Sequence, residues 1–410
     1  MNFTFITLGC PKNEVDTAYY IKKLQDLGHH FVYDAEKADY IFLNTCAFIK
    51  DAISESLETY EELTKKYTKE RVIITGCLVE RLKHRLEGVK FIRGDDIEKI
   101  NEVIEGTYVP DFSKKQQFIY NGERFCIDNL PYAYIKIQEG CSRKCAFCTI
   151  PLIRGKPRTR SILSIKNEAL ELASKGKKEI ILVGEDLTLY KDLIPLLKEL
   201  TKIKDVKLIR LMYLHPNGVK KELLRYISDN PKMAKYLHIP IQHISDKVLK
   251  KMGRRGGERA VRKAIEYARE LLPDAFIRTE IMVGFPGEDE RDFEKLLYFL
   301  EEMHIERIGV FKYSNEEGAK SFRFTQVQDE IKEERFQRAY LLASLLMEEA
   351  KKKLNNKKIR VISDTSTIGR TEFDAPSSDF TVRFSKKTKP GNIYKKKIVY
   401  NEHTDELIAL

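Results

Sequence analysis

No apolar run in this 410-residue chain comes near the ~18 consecutive residues that mark a membrane-spanning helix. The longest, such as the one beginning at Ile180, last only a few residues. The stretch Met1–Cys10 lacks the basic flank and apolar segment of a secretory signal. There is no low-complexity tract, and no internal repeat beyond an alternation of strand and helix patterns. Apolar residues make up 42% and charged ones 33% of the chain, which excludes disordered, collagen-like and membrane classes. The expectation is a cytoplasmic protein of about two to four domains, with no membrane contact.

An even set of cysteines is also missing. The seven are Cys10, Cys46, Cys77, Cys126, Cys141, Cys145 and Cys148. An odd count in a reducing compartment argues against a disulfide framework and toward metal ligation or catalysis. They fall into two groups of three, with Cys126 left over as a plain thiol.

What is abundant is positive charge. The net charge is +11, and Lys351–Tyr400 alone holds 14 Lys/Arg against 4 Asp/Glu. A basic C-terminal module of that size suggests contact with RNA or an RNA-rich particle, while a solvated lysine-rich face reads the same on charge alone. Its predicted strands offer only Phe380, Phe384, Tyr394 and Tyr400 as stacking platforms for bases.

The second cysteine group stands in one loop, Glu139-Gly140-Cys141-Ser142-Arg143-Lys144-Cys145-Ala146-Phe147-Cys148. Three thiolates so spaced can hold three irons of a cubane cluster and leave the fourth without a protein ligand. A structural zinc site asks for a fourth ligand, and a catalytic one for histidine partners. The first group is dispersed, but each member follows a short apolar run: Phe3–Gly9 before Cys10, Tyr40–Thr45 before Cys46, Arg71–Gly76 before Cys77. Such runs predict buried parallel strands. Helical patterns follow each of them (Glu14–Leu27, Asp51–Lys66, Val79–Leu86), which predicts a doubly wound α/β domain. The carboxyl ends of neighbouring strands converge on a crevice in such sheets, so these three thiolates could hold a second cluster. Three ordinary buried cysteines are the alternative.

Val109–Leu130 has weak periodicity, with Lys114-Lys115-Gln116-Gln117 and Asn121-Gly122, and predicts a linker plus a hairpin. A second strand–helix series then predicts strands at Ala133–Ile137, Glu179–Val183, Val206–Leu211, Tyr236–Pro240, Ala275–Thr279 with Ile281–Val283, and Arg307–Phe311. Six strands in this span suit a partial, open (β/α)6 barrel better than a full eight-stranded one. Gln328–Leu354 predicts a closing helix. Lys358–Ile362, Phe380–Phe384, Asn392–Tyr394 and Lys397–Tyr400 predict a small antiparallel β-barrel.

The loop triplet resembles the cluster loop of the radical S-adenosylmethionine (radical SAM) superfamily. The whole chain resembles the radical SAM methylthiotransferases, within them the branch that acts on a ribosomal protein. The resemblance rests on Gly9-Cys10-Pro11-Lys12-Asn13, Asn44-Thr45-Cys46-Ala47-Phe48-Ile49, Ile150-Pro151-Leu152-Ile153-Arg154-Gly155-Lys156, Tyr313-Ser314-Asn315-Glu316-Glu317-Gly318 and Gly369-Arg370-Thr371. It departs from that branch at Gly184-Glu185-Asp186, where Ala-Gln-Asp is usual, and at His238-Ile239-Pro240, where Asp-x-Pro is usual. Leu237-His238 is closer to the tRNA-modifying branch. The resemblance implies an N-terminal three-cysteine domain over 1–110, a linker or hairpin over 111–130, a radical SAM domain over 131–340, and a closing helix with a TRAM barrel over 341–410.

It also implies two 4Fe-4S clusters and S-adenosylmethionine as cofactors. In the family, the cluster matching Cys141, Cys145 and Cys148 cleaves one cofactor molecule to a 5′-deoxyadenosyl radical, and the cluster matching Cys10, Cys46 and Cys77 carries the sulfur that a second molecule methylates. The implied target is the β-carbon of an aspartate in small-subunit ribosomal protein twelve, with an external electron donor and sulfur source. Radical chemistry suits the task, because a C–H proton at an unactivated carbon is far too weakly acidic for any side-chain base. An adenosine beside the tRNA anticodon is the alternative substrate, and a non-catalytic iron–sulfur protein that binds RNA or senses redox state is the alternative class.

The resemblance implies further candidates for cofactor binding: Gly184 and Glu185, where Glu185 meets the methionine ammonium or is a solvated strand-end glutamate, Gly284 and Gly287, which line the adenosine pocket or mark a tight turn, and Arg278, which meets the cofactor carboxylate or a structural one. His215, His238 and His243 are expected to be core or rim residues rather than catalysts.

Overall fold

The computed structural model describes residues 1–113 and 122–410, residue 84 by its backbone only. Residues 114–121 of the expected linker and hairpin thus lie outside the described residues. What is described of 109–130 carries no helix or strand.

The three apolar runs before Cys10, Cys46 and Cys77 become neighbouring parallel strands. The N-terminal unit comprises β1 (Asn2–Thr7), α1 (Pro11–Asp26), β2 (His30–Phe31), β3 (Tyr40–Thr45), α2 (Lys50–Tyr67), β4 (Val72–Gly76), α3 (Cys77–Leu82) and α4 (Ile100–Glu105). Its sheet is parallel throughout, in the order β2-β1-β3-β4. Ile41, Phe42, Leu43, Val72, Ile73 and Ile74 are all buried, because both sheet faces are covered and no polar alternation is needed. Pro11 opens α1, where its missing N–H costs no hydrogen bond. The chain steps outward from β1 to β2 and then crosses back to β3. The crevice at such a switch point lies beyond the carboxyl ends of β1 and β3.

The central unit carries β5 (Tyr132–Lys136), β6 (Gln138–Glu139), α5 (Ile150–Ile153), β7 (Arg158–Thr159), α6 (Ile162–Ser174), β8 (Glu179–Val183), α7 (Leu193–Thr201), β9 (Leu208–Leu211), α8 (Lys221–Asp229), β10 (Tyr236–His238), α9 (Asp246–Lys251), α10 (Gly257–Leu271), β11 (Phe276–Val283), α11 (Glu290–Glu302), β12 (Arg307–Lys312) and α12 (Asp329–Leu354). Six parallel strands follow the orders β5-β8-β9 and β10-β11-β12, and a parallel bridge from Ile209 to Met233 joins the two sets. This is the expected partial barrel. The two pieces expected around Glu280 form the single strand β11, on which Arg278, Glu280 and Met282 share the less buried face. The two-residue ribbon β6–β7 is too short to show as a sequence pattern.

The C-terminal unit is a closed five-stranded barrel of β13 (Lys358–Ser363), β14 (Ile368–Thr371), β15 (Val382–Phe384), β16 (Ile393–Asn401) and β17 (Glu406–Ala409), in the order β13-β14-β15-β17-β16. It is antiparallel as expected except between β15 and β17, where Val382 pairs with Leu407 in parallel. Two expected strands fuse into β16, on which Lys395 and Lys397 are exposed and Ile398 and Tyr400 are buried. Helix α12 runs unbroken through residue 340, so the boundary expected there falls inside an element that both units share.

The gap in the partial barrel is filled from both neighbours. Val15 and Tyr19 of α1 and Ala375 of the C-terminal unit pack with Tyr134, Ile181, Val183, Leu208, Met212 and Tyr236. The loop around Ala375 is anchored by buried charge: Asp374 to Arg307 at 2.7 Å and Asp379 to Arg278 at 2.6 Å.

Candidate functional site: two cysteine triplets and the crevice between them

Cys10, Cys46 and Cys77 come together at the ends of β1, β3 and β4, close enough that each thiol acts electrostatically on the others. Gly9 has φ +89°, and a Cβ there would lie 2.7 Å from the Cβ of Cys46, so only glycine lets the first ligand loop close on the second. Asn13 ties the loops together. Its Nδ2 donates to the carbonyls of Leu8 (2.9 Å) and Thr45 (3.0 Å), and its Oδ1 accepts from Arg154 (2.9 Å). Arg154 also meets Cys77 Sγ at 3.3 Å, Asp16 at 2.9 Å and Glu139 at 2.7 Å.

The loop triplet Cys141, Cys145 and Cys148 is likewise mutually coupled. The backbone N–H of Arg143 donates to Cys141 Sγ (3.3 Å), the guanidinium of Arg254 lies 3.9 Å from Cys145 Sγ, and the side chain of Arg143 pairs with Asp186 at 2.9 Å. Burial pushes the Cys77 and Cys141 thiols up to about 11 and Cys148 up to about 12, and it raises Cys46. Such thiols give up their protons to a bound cation rather than to water. No three His, Cys, Asp or Glu side chains among the described residues are arranged to hold a single metal ion. A cubane does not ask for that, since each thiolate serves a different iron. Cys126 packs at the edge of the central core, apart from both groups.

Glu185 joins the two groups. Both its carboxylate oxygens are buried without a hydrogen-bond partner among the described residues. Burial raises its pKa, Lys12 of the first group pulls it back, and its charge is felt at both Cys141 and Cys148. The turn carrying it is set by Gln138, whose Oε1 accepts from the N–H groups of Glu185 (2.9 Å) and Asp186 (3.2 Å). Gly184 is packed against the same amide. Beneath lies a buried ionic cluster in which Lys136 bridges Asp16 (2.6 Å) and Glu139 (2.9 Å). Burial works against the charge on Glu139, but Lys136 and Arg154 outweigh it and hold the carboxyl well below the usual range.

The remaining candidates divide. Arg278 is engaged by Asp379 and Glu280, the structural-carboxylate alternative, so its guanidinium is already paired within the protein. The N–H of Gly284 donates to both oxygens of Glu288 at 3.0 Å, and Gly284 and Gly287 take φ of +72° and +89° beside Lys332 and Lys251; this is the tight-turn alternative. His238 Nε2 meets Glu280 at 2.7 Å, His243 Nδ1 accepts from the N–H of Ser245 at 3.0 Å, and His215 Nδ1 accepts from the N–H of Asn217 at 3.2 Å. His215 is pushed down to about 2 by burial and then by Arg254 and Arg143. The site also uses Lys12, Asn13, Gln138, Arg154, Tyr213 and Arg254, which residue-by-residue reading passed over. Lys12, Asn13 and Arg154 stood in the quoted motifs, but nothing local marks the other three.

Residues 135–300 match the Radical SAM superfamily model, and residues 2–92 match Uncharacterized protein family UPF0004. The fold is shared with the radical S-adenosylmethionine methyltransferase TsrM from Kitasatospora setae (TM-score 0.55, 14% identity, 76% of this chain and 74% of that one). It is also shared with the cobalamin-dependent S-adenosylmethionine radical enzyme OxsB (TM-score 0.52, 12% identity, 85% and 56%). Fold and site therefore define a radical SAM enzyme, a class that works with a 4Fe-4S cluster and S-adenosylmethionine. Proteins named ribosomal protein uS12 methylthiotransferase RimO are similar over nearly the whole chain. Those from Thermodesulfovibrio yellowstonii (38% identity, 93% of this chain and 92% of the relative), Thermotoga maritima (38%, 97% and 96%) and Thermoanaerobacter sp. (39%, 95% and 95%) are examples. The chain belongs to the RimO family of radical SAM methylthiotransferases. Among the described residues no helix is long and apolar enough to cross a membrane.

Proposed function

We propose that this enzyme replaces a hydrogen on the β-carbon of an aspartate in small-subunit ribosomal protein uS12 with a methylthio group. Cys141, Cys145 and Cys148 hold one 4Fe-4S cluster, and Cys10, Cys46 and Cys77 hold a second. When bound, the clusters and S-adenosylmethionine supply the one-electron cleavage, the sulfur handling and the methyl group, with electrons and sulfur drawn from outside the protein.

The protein's own share is positioning. Glu185 receives the ammonium of the S-adenosylmethionine methionine. The observation that carries this reading is its pair of buried, unpartnered oxygens beside the loop triplet, since an orphaned buried carboxylate is costly unless a cation completes it. Arg143 and Arg254 hold the loop triplet against the barrel rim, and Asn13 with Arg154 holds the strand-end triplet. The domain division expected from the sequence, with shared α12, serves this arrangement: one domain per cluster and a basic barrel beside them.

RNA contact through the C-terminal barrel belongs to the same reading. Phe384 and Tyr400 are buried in the barrel core, with Phe380 and Tyr394 packed against it, so contact runs through exposed Lys386, Lys387, Lys389, Lys395 and Lys397 rather than base stacking. That suits a protein target surrounded by RNA. The test is anaerobic turnover of the fully reconstituted enzyme, offered uS12 and total tRNA in parallel and followed by mass spectrometry. A single methylthio gain on a uS12 aspartate is expected. Gain on tRNA alone overturns the reading and moves the enzyme to the tRNA branch.

A further inference from the structure

Several cationic side chains near the two triplets are occupied. Lys136, Arg154 and Arg158 are bound to Glu139, Arg143 to Asp186, Arg278 to Asp379, and Arg254 to the carbonyl of Pro240. Lys12 is different. Among the described residues its ammonium makes no hydrogen bond and no ion pair within 4 Å. It lies over the ring of Tyr213, 4.6 Å from the centroid. Tyr213 follows β9 at φ +62°, a left-handed conformation that bulky residues rarely take and that neighbouring structure must impose. The conformation turns its ring toward Lys12 and toward His238, whose ring centroid is 4.7 Å away. The Tyr213 hydroxyl, like the Lys12 ammonium, has no hydrogen-bond partner among the described residues.

We infer that Lys12 and Tyr213 form a carboxylate-binding subsite that takes the side-chain carboxylate of the protein substrate. This deepens the function proposed above and rests on it. Cys10 and Glu185 are the acidic side chains besides Tyr213 that act on Lys12, and in that reading the first is taken by the cluster and the second by the cofactor ammonium. An ammonium paired with a phenol hydroxyl offers two donors to one carboxylate, a charge-assisted arrangement that an amide gains much less from. Lys12 lies two residues from Cys10 and its charge is felt at Glu185, so the subsite adjoins both the strand-end triplet and the group proposed for the cofactor. The subsite would therefore select an acidic side chain over its amide.

The test compares binding of uS12, and of uS12 with its target aspartate changed to asparagine, to the reconstituted enzyme by titration calorimetry, with iron content measured for every variant. The wild type is expected to prefer the aspartate form by about tenfold or more. Lys12→Met is expected to bring the ratio to about one, Lys12→Arg to keep most of it, and Tyr213→Phe to lose part. Retention of the full preference by Lys12→Met overturns the inference. So does a loss of preference that Lys12→Arg fails to restore while iron content is normal. If the wild type modifies uS12 but binds both forms equally, the subsite falls and the function stands. If it modifies only tRNA, both fall together.

Discussion

The two cysteine triplets have the same composition and opposite construction. One is written into eight consecutive residues, Cys141 to Cys148, and needs only a loop closed by Gly140 and pinned by Arg143 and Arg254. The other gathers Cys10, Cys46 and Cys77 from three strand ends and exists only while the parallel sheet holds its register. A local site survives damage elsewhere in the fold, whereas an assembled site inherits every weakness of the sheet beneath it. Iron at the strand-end site should therefore be the more easily lost.

The largest effect that separates the two comes from the sheet core. Phe42 is fully buried on β3 and stacks on Phe5 at 4.8 Å. Phe42→Ala should cost about 3–5 kcal/mol and strip iron from the strand-end site first, read by iron and sulfide analysis beside a thermal melt. Asn13→Ala aims at the assembly itself. Losing its amide leaves the Leu8 and Thr45 carbonyls short of a donor, at about 2–4 kcal/mol, and should empty the strand-end site while the loop site keeps its iron. Loss from the loop site instead would reverse the comparison. Glu185→Ala should leave both iron contents alone and weaken S-adenosylmethionine binding about ten- to hundredfold, the worth of one to two charge-assisted hydrogen bonds, measurable by equilibrium binding.

The smallest effect is a slope. Glu139, on β6 just before the loop triplet, shares Lys136 and Arg154 with Asp16 of α1, which follows Cys10, and its carboxyl is held below the usual range. A depressed carboxyl stabilises the fold above its unfolded pKa, and that contribution is lost as pH falls through the ordinary carboxylate range toward the depressed value. Melting temperature should fall on acidification from neutrality, and Glu139→Gln should flatten that dependence at the cost of stability at pH 7. An unchanged slope would mean that the cluster joining the two sites titrates through other groups.

The difference between the sites also sorts what the chain made legible. Cys141, Cys145 and Cys148 announce themselves by spacing, and the three strand ends by apolar runs that finish just before a cysteine. The partial barrel was legible because short β-branched and apolar stretches recur between helical patterns. What stayed hidden depends on distant partners: Arg278 engaged by Asp379, Lys12 under Tyr213, and Ala375 filling the barrel gap join segments a hundred or more residues apart. Nothing in a local pattern chooses the partner of a buried arginine. Short elements such as β2, β6 and β7 escaped for another reason, since two residues carry no periodicity.

The central claim is that each triplet holds its own cluster. The most direct measurement is iron and acid-labile sulfide per chain, with Mössbauer spectra, for the anaerobically reconstituted enzyme and two triple variants, Cys10→Ala/Cys46→Ala/Cys77→Ala and Cys141→Ala/Cys145→Ala/Cys148→Ala. The account predicts about eight irons in the wild type and about four in each variant, all in 4Fe-4S form. A wild type with a single cluster, or a triple variant that keeps the full complement or loses all of it, would contradict it.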